Sequence, residues 1–342
     1  MKHIFQKARS HKLLNNKYLN FTLKAIIVIG VVYSLYSRIS KEENLDNMLD
    51  HILTFLNFPN LFYLIFALVL VPVMWWSESY RWLILVKKIV HPRSATLRQS
   101  FKAMISGHAL GMFIPYRIGK IGGRLLVYES KKKVELVVVN YFDGESIKLL
   151  FDIYGLGGSA YVLYAFLDFS LVWVVILTVL VAILLLFRIY LFYNIGILLR
   201  WIKRFNIKAS WLQRAEVLKR YSRAELRLIM QTTGFRVLLN FLQYYLLMCF
   251  FHIDVPFFEA LLLISAIYFL IGNLPLPAIA GLFARIHVAL FIWSQYTDNV
   301  ISISSIPLIL WIFNSLLPAL VGAYVLVNTN LAKNINYDNQ HI

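Results

Sequence analysis

The chain has very little of what a soluble enzyme is made from. It carries one cysteine, Cys249, set in an apolar run, so an internal disulfide is impossible. Acidic residues are half as numerous as basic ones, 17 Asp and Glu against 34 Lys and Arg. No long polar region remains once the apolar runs are removed, which excludes a large soluble domain. HExxH, P-loop and Cys/His metal spacings are all missing, so no metal site and no cofactor are expected.

What the chain does have is apolar length. Of its 342 residues, 60% are hydrophobic, and the mean hydropathy is +0.67. Several runs approach the ~20 apolar residues that a spanning helix needs. The expected fold is all-α: a polytopic helical membrane bundle forming one integral membrane domain over residues 1–342. The net charge of +17 sits in loops beside the apolar runs. That placement is the signature of the positive-inside rule and argues against nucleic acid as a partner. Anionic membrane lipids are the expected partner, drawn to the basic loops.

A basic start (Lys2, Lys7, Arg9, Lys12, Lys17) precedes a first run, Phe21 to Ser37, read as an uncleaved span. Glu42, Glu43, Asp46 and Asp50 follow it, which places the N-terminus in the cytoplasm. Residues 45–58 carry apolar positions at helical spacing and read as an amphipathic surface helix. A second span, Leu61 to Val86, runs back to the basic segment Lys87 to Arg98. Near its inner end Trp75, Trp76 and Trp82 suggest an aromatic belt, with Glu78 and Arg81 pairing one helical turn apart.

The stretch Gly107 to Arg124, GHALGMFIPYRIGKIGGR, breaks this pattern. An apolar arm stops at Pro115, and Arg117, Lys120 and Arg124 follow through Gly119, Gly122 and Gly123. Both flanks are basic, which predicts a re-entrant hairpin that leaves on the side it came from. Broken backbone at membrane depth survives only where protein buries it or a wet cavity receives it. Pro115, Gly119 and Gly122 are therefore read as hinge positions, and Arg117, Lys120 and Arg124 as ligands for a polar group. The next span, Val134 to Phe166, holds Asp143, Glu145, Lys148 and Asp152. Charges inside a span face the bundle interior. They read either as a neutralised ladder along one helix or as Asp143 and Glu145 answering the hairpin cations.

The second half repeats the layout with opposite hand. Leu171 to Leu191 returns inward, and a basic stretch, Arg200 to Arg227, reads as a helix lying on the membrane surface. Gly234 to Phe251 runs outward. A second broken hairpin follows, with Pro275, Pro277 and Gly281 at its interruption and Arg285 and His287 on its return arm. Ile303 to Val327 closes the chain. The expectation is about six full spans plus two re-entrant hairpins, in an inverted repeat of residues 20–167 and 170–328, with both termini cytoplasmic. Interrupted segments in such repeats mark a midplane site.

At these two stretches the sequence resembles the lysylphosphatidylglycerol synthase transmembrane-domain family, also called flippase-like integral membrane proteins. That family's first motif, Pro-Gly-Arg-x-Gly-Glu-like with a later Arg, is matched by Pro115-Tyr116-Arg117-Ile118-Gly119-Lys120 and Arg124. Its Pro-x-Pro-Gly-Gly-x-Gly motif is matched by Pro275-Leu276-Pro277-Ala278-Ile279-Ala280-Gly281. Lys120 stands where the family has an acid, and Arg285 and His287 lie where an acid follows the second motif. The resemblance implies movement or binding of a lipid or lipid-linked glycan in a bacterial cytoplasmic membrane. Without the synthases' soluble aminoacyl-transferase domain, lipid aminoacylation is not expected.

The residues give the same expectation a physical form. Guanidinium forks at Arg117, Arg124 and Arg285, with Lys120 and His287, can replace the water around an anionic headgroup. Two other classes stay open: an integral-membrane enzyme using Asp143 and Glu145, and a non-catalytic subunit docking a partner through its basic face.

Overall fold

The computed structural model describes residues 50, 53–56, 60–112, 118–128, 130, 132–204, 209–274 and 278–328. The expected first span at 21–37, most of the stretch 45–58, and Pro115, Arg117, Pro275 and Pro277 lie outside them. The described residues form eleven α-helices and no strand.

The helix α1 (Asn60–Val86) turns one face, with Phe62, Phe66, Val69 and Val73, outward and buries Ala67, Val71 and Met74. Two short helices follow, α2 (Leu97–Gly111) and α3 (Ile118–Leu126). Thr96 caps α2 by accepting a bond from the Gln99 N–H. Next come the 33-residue α4 (Lys133–Ala165) and α5 (Leu171–Tyr193), separated by a turn with Asp168 at φ 52°. The basic stretch is divided among α6 (Ile195–Lys203), α7 (Ala209–Ala215) and a 3-10 turn at Glu216–Arg220. It is not one surface helix to Arg227. Ser222 and Glu225 form a reciprocal capping box that starts α8 (Arg223–Phe250), so Arg223 and Arg227 belong to that long helix. Finally there are α9 (Phe257–Gly272), α10 (Ala278–Trp293) and α11 (Val300–Val327), the last continuous through a π-helical turn at Ile312–Leu316.

Three helices, α1, α5 and α11, are long and apolar enough to cross a membrane, the mark of an integral membrane protein. The helices α4 and α8 have the length, 33 and 28 residues, but carry charges inside.

Apolar burial contributes little to helix association when the surroundings are as apolar as the helices, so small residues decide the packing. They do so here at three seams. The arms α2 and α3 run antiparallel, with Gly119 against the Leu110 carbonyl and Gly123 against the Ser106 carbonyl. A side chain at either glycine would collide with that backbone. Gly158 of α4 meets the Leu262 carbonyl and Ser265 of α9. Gly322 of α11 meets the Ile105 carbonyl of α2. The first arm of each broken pair thus lies against the last long helix of the other half of the chain. The helices α1 and α8 pack on one another between them.

One end of the bundle is basic. There Lys88 pairs with Glu225 at 2.7 Å, and the Tyr221 hydroxyl donates to the Leu85 carbonyl. The opposite end is acidic or neutral: Asn60 bonds His252 at 2.8 Å, and Tyr161 and Tyr296 donate to Glu259 at 2.8 and 2.6 Å.

Candidate functional site

The site begins with Glu78 and Arg81 on α1. Three positions apart, they share one face of the helix. They do not pair with each other as expected; each reaches other helices. Glu78 receives Arg124 at 2.6 Å and Lys120 at 2.8 Å, both from α3. Its second oxygen receives Arg236 of α8 at 2.9 Å and faces His108 of α2 at 3.4 Å. Arg81 donates to Asp143 of α4 at 2.6 Å. Arg124 closes the network, donating to Asp143 and to Asn140 at 2.7 Å each, with its guanidinium 4.5 Å above the Trp82 ring. Trp82 is fully buried in this role, whereas Trp76 is exposed as an aromatic-belt residue should be.

Five helices therefore meet at two carboxylates. The inner part is dry: side-chain exposure is 0% for Arg81, 1% for Arg124 and Glu78, and 2% for Asp143. Lys120 and Arg236 keep 28% and 18%. Charge buried at such depth is costly unless compensated. Compensation is incomplete: Arg81, Lys120, Arg124 and Arg236 answer to Glu78 and Asp143 alone, which leaves two positive charges over.

Those charges border a cavity of about 330 Å³. Lys120, Arg124 and Arg236 form its cationic wall. Arg285 of α10, Gly272 at the end of α9, and Asn314 and Ser315 from the π turn of α11 line the same cavity. Phe151, Ile267 and Leu310 make the remaining wall apolar. Both broken pairs thus reach the same space. Nitrogens of four arginines in this wall, Arg81 Nη2, Arg124 Nε, Arg236 Nε and Arg285 Nε, are buried and lack a hydrogen-bond partner among the described residues. A buried donor left unmatched costs about 1–3 kcal/mol, and these four nitrogens are enclosed by protein and do not open onto the cavity.

Of the residues singled out by the sequence, Lys120, Arg124 and Asp143 fall in the cluster and Arg285 lines the same cavity. Glu145 and His287 do not. Glu145 points to the other face of α4, where Arg188 of α5 takes both it and Asp152. The expected ladder through Lys148 is therefore replaced by a bridge to α5. His287 is exposed, its Nδ1 2.8 Å from the Phe283 carbonyl of its own helix. One rule explains both misses. Residues two apart on a helix stand about 200° apart, so Asp143 and Glu145, or Arg285 and His287, cannot face one cavity together.

The glycines are also placed differently. Gly119 and Gly122 lie inside α3 and Gly281 inside α10, so none is a hinge. Gly119 is a packing residue, and no described atom lies within 4 Å of a side chain built at Gly122 or Gly281. The helix α2 ends at Gly111 and α3 begins at Ile118; α9 ends at Gly272 and α10 begins at Ala278. Just past Gly272, Asn273 donates to Asp152 at 2.8 Å and ties the end of α9 to the Arg188 bridge.

Glu78, Arg81, His108 and Arg236 belong to the site although the sequence did not mark them as ligands. Two of them were signalled by charges inside an otherwise apolar 27-residue helix. No group of three or more His, Cys, Asp or Glu suited to a metal occurs among the described residues. No family model matches this chain, and no curated protein matches it.

Proposed function

We propose that this protein is a transporter that moves an anionic amphiphile, a lipid or lipid-linked glycan, across the bilayer and holds its headgroup in the cationic cavity. One observation carries the reading: a half-apolar cavity whose polar wall has more cations than carboxylates, with Lys120 and Arg236 still part-exposed. Such a wall can replace the water that a phosphate loses on leaving the interface. The apolar wall can accept the first part of an acyl or prenyl chain. The two interrupted pairs dip in from opposite faces as an inverted repeat with the site at its axis. Reciprocal packing of α2 on α11 and of α9 on α4 supports this arrangement. The basic end faces the cytoplasm of a bacterial inner membrane, with both termini on that side. The resemblance to flippase-like membrane proteins points the same way.

An enzymatic reading fares worse. Asp143 is held by both Arg81 and Arg124, so it is not free to take a proton.

The test is transport. Purified protein in vesicles carrying a fluorescent anionic phospholipid should speed its exchange between leaflets, and Arg236→Ala should slow that exchange about tenfold, the effect of ~1.4 kcal/mol. Exchange no faster than in protein-free vesicles would contradict the proposal.

A further inference from the structure

The charge balance of the cavity specifies more than a single negative charge, provided that the cavity is the headgroup site proposed above. With Arg285, the cavity wall and its supports hold five cations. Glu78 and Asp143 are the carboxylates bonded to them. Three positive charges are left. Asn140, Asn240, Thr233, Asn314 and Ser315 add uncharged polar groups to the wall, and His108 stands beside Glu78.

The cations also divide by position. Arg81 and Arg124 are spent on Asp143 and Glu78 and are almost wholly enclosed. They act as positioning residues, fixing the two carboxylates between α1, α3 and α4. Lys120 and Arg236 each make a single ion pair, both to the same Glu78, and both keep a face on the cavity. Arg285 makes no ion pair among those of the described residues and lines the same cavity from α10. Glu78 thus stands where an anion would: two oxygens shared among three cations and a histidine.

A ligand that merely matched one positive charge would leave two uncompensated in a low-dielectric pocket. A phosphodiester, as in phosphatidylglycerol, brings one negative charge. A terminal phosphate monoester brings about 1.5 to 2 at neutral pH, with three strong acceptor oxygens. A diphosphate brings at least as much on more oxygens. Lys120, Arg236 and Arg285 line the cavity from three helices, and a terminal phosphate offers three acceptor oxygens where a diester has two unesterified ones.

We infer that the cavity selects a doubly charged phosphate, a terminal phosphomonoester or a diphosphate, gripped by Lys120, Arg236 and Arg285 in competition with the Glu78 carboxylate. The shared chemistry occurs both in lipids with a terminal phosphate and in small soluble phosphates.

The experiment is a competition binding assay on the full chain in neutral detergent micelles, with three probes: dioleoyl phosphatidate, dioleoyl phosphatidylglycerol and inorganic pyrophosphate. Phosphatidate should bind at least about tenfold more tightly than phosphatidylglycerol. Lys120→Ala and Arg285→Gln should remove most of that preference, and Glu78→Gln should raise affinity for every anion by removing the internal competitor. Because Glu78→Gln breaks a buried network, Arg285→Gln, on a half-buried residue outside it, is the variant that keeps the test valid if the former fails to fold. Pyrophosphate binding without phosphatidate binding would uphold the doubly charged site while ending the lipid-transport reading. Equal affinity for phosphatidate and phosphatidylglycerol would overturn the inference and leave the anionic-headgroup reading standing. No binding by any probe would overturn both.

Discussion

Two charge clusters share the helix α4 and differ in almost every respect. On one face Asp143 joins a dry network of five helices in which cations outnumber carboxylates and guanidinium nitrogens are left unmatched. On the other face Glu145 and Asp152 share one arginine, Arg188, and Glu145 is 47% exposed. The second cluster has more acid than base and is satisfied within itself. It fastens α5 and the end of α9 to α4. On the function proposed above, the first receives an anion. In a bundle whose interior tolerates few charges, the sign of the imbalance and the depth of burial separate a fastening from a site.

The sharpest way to break that contrast is to remove one carboxylate from each cluster. Asp143→Ala takes its carboxylate partner from buried Arg81 and leaves Arg124 with Glu78 and Asn140, and the loss should reach about 3–5 kcal/mol, the cost of an uncompensated buried charge. Its measure is the apparent melting temperature in detergent, or the collapse of folded yield. Gly123→Val should rank next. The new side chain would meet the Ser106 backbone, and prying α2 from α3 should cost about 1–3 kcal/mol, as overpacking does. Intramembrane proximity of cysteine pairs placed on the two arms would report the opening. Ser222→Ala removes the cap of α8 and should lower stability by about 1 kcal/mol with transport intact. Glu145→Gln should be the mildest, below about 1 kcal/mol as for a solvent-accessible pair, and should leave anion binding unchanged. If Glu145→Gln weakened anion binding as strongly as Lys120→Ala, the distinction between the clusters would fail.

Much of the layout was legible in the sequence. The apolar runs became α1, α4, α5 and α11 with nearly the expected limits, because length and hydropathy suffice for that. The ends of α2 at Gly111 and of α9 at Gly272 were legible because Pro and Gly cut apolar runs just beyond them, although Pro115, Pro275 and Pro277 lie outside the described residues. Lys120, Arg124, Asp143 and Arg285 were legible as charges where charge is expensive. Glu145 and His287 went astray because residue spacing was read without helical phase. Glu78 and Arg81 were misread as a local pair because i,i+3 spacing permits a pair but does not require one. Their true partners lie 30 to 158 positions away, a distance that no local pattern encodes. The roles of Gly119 and Gly123 were hidden for a related reason. A glycine beside a break suggests a hinge, and only the neighbouring backbone shows that it is there to be thin.

The most direct measurement is an experimental density map of the protein in nanodiscs containing an anionic lipid. Headgroup density is expected in the cavity, within hydrogen-bonding distance of Lys120, Arg236 and Arg285, with the chain leaving past Phe151 and Ile267. A cavity holding only water, with every ordered headgroup at the bundle surface, would contradict a headgroup site there.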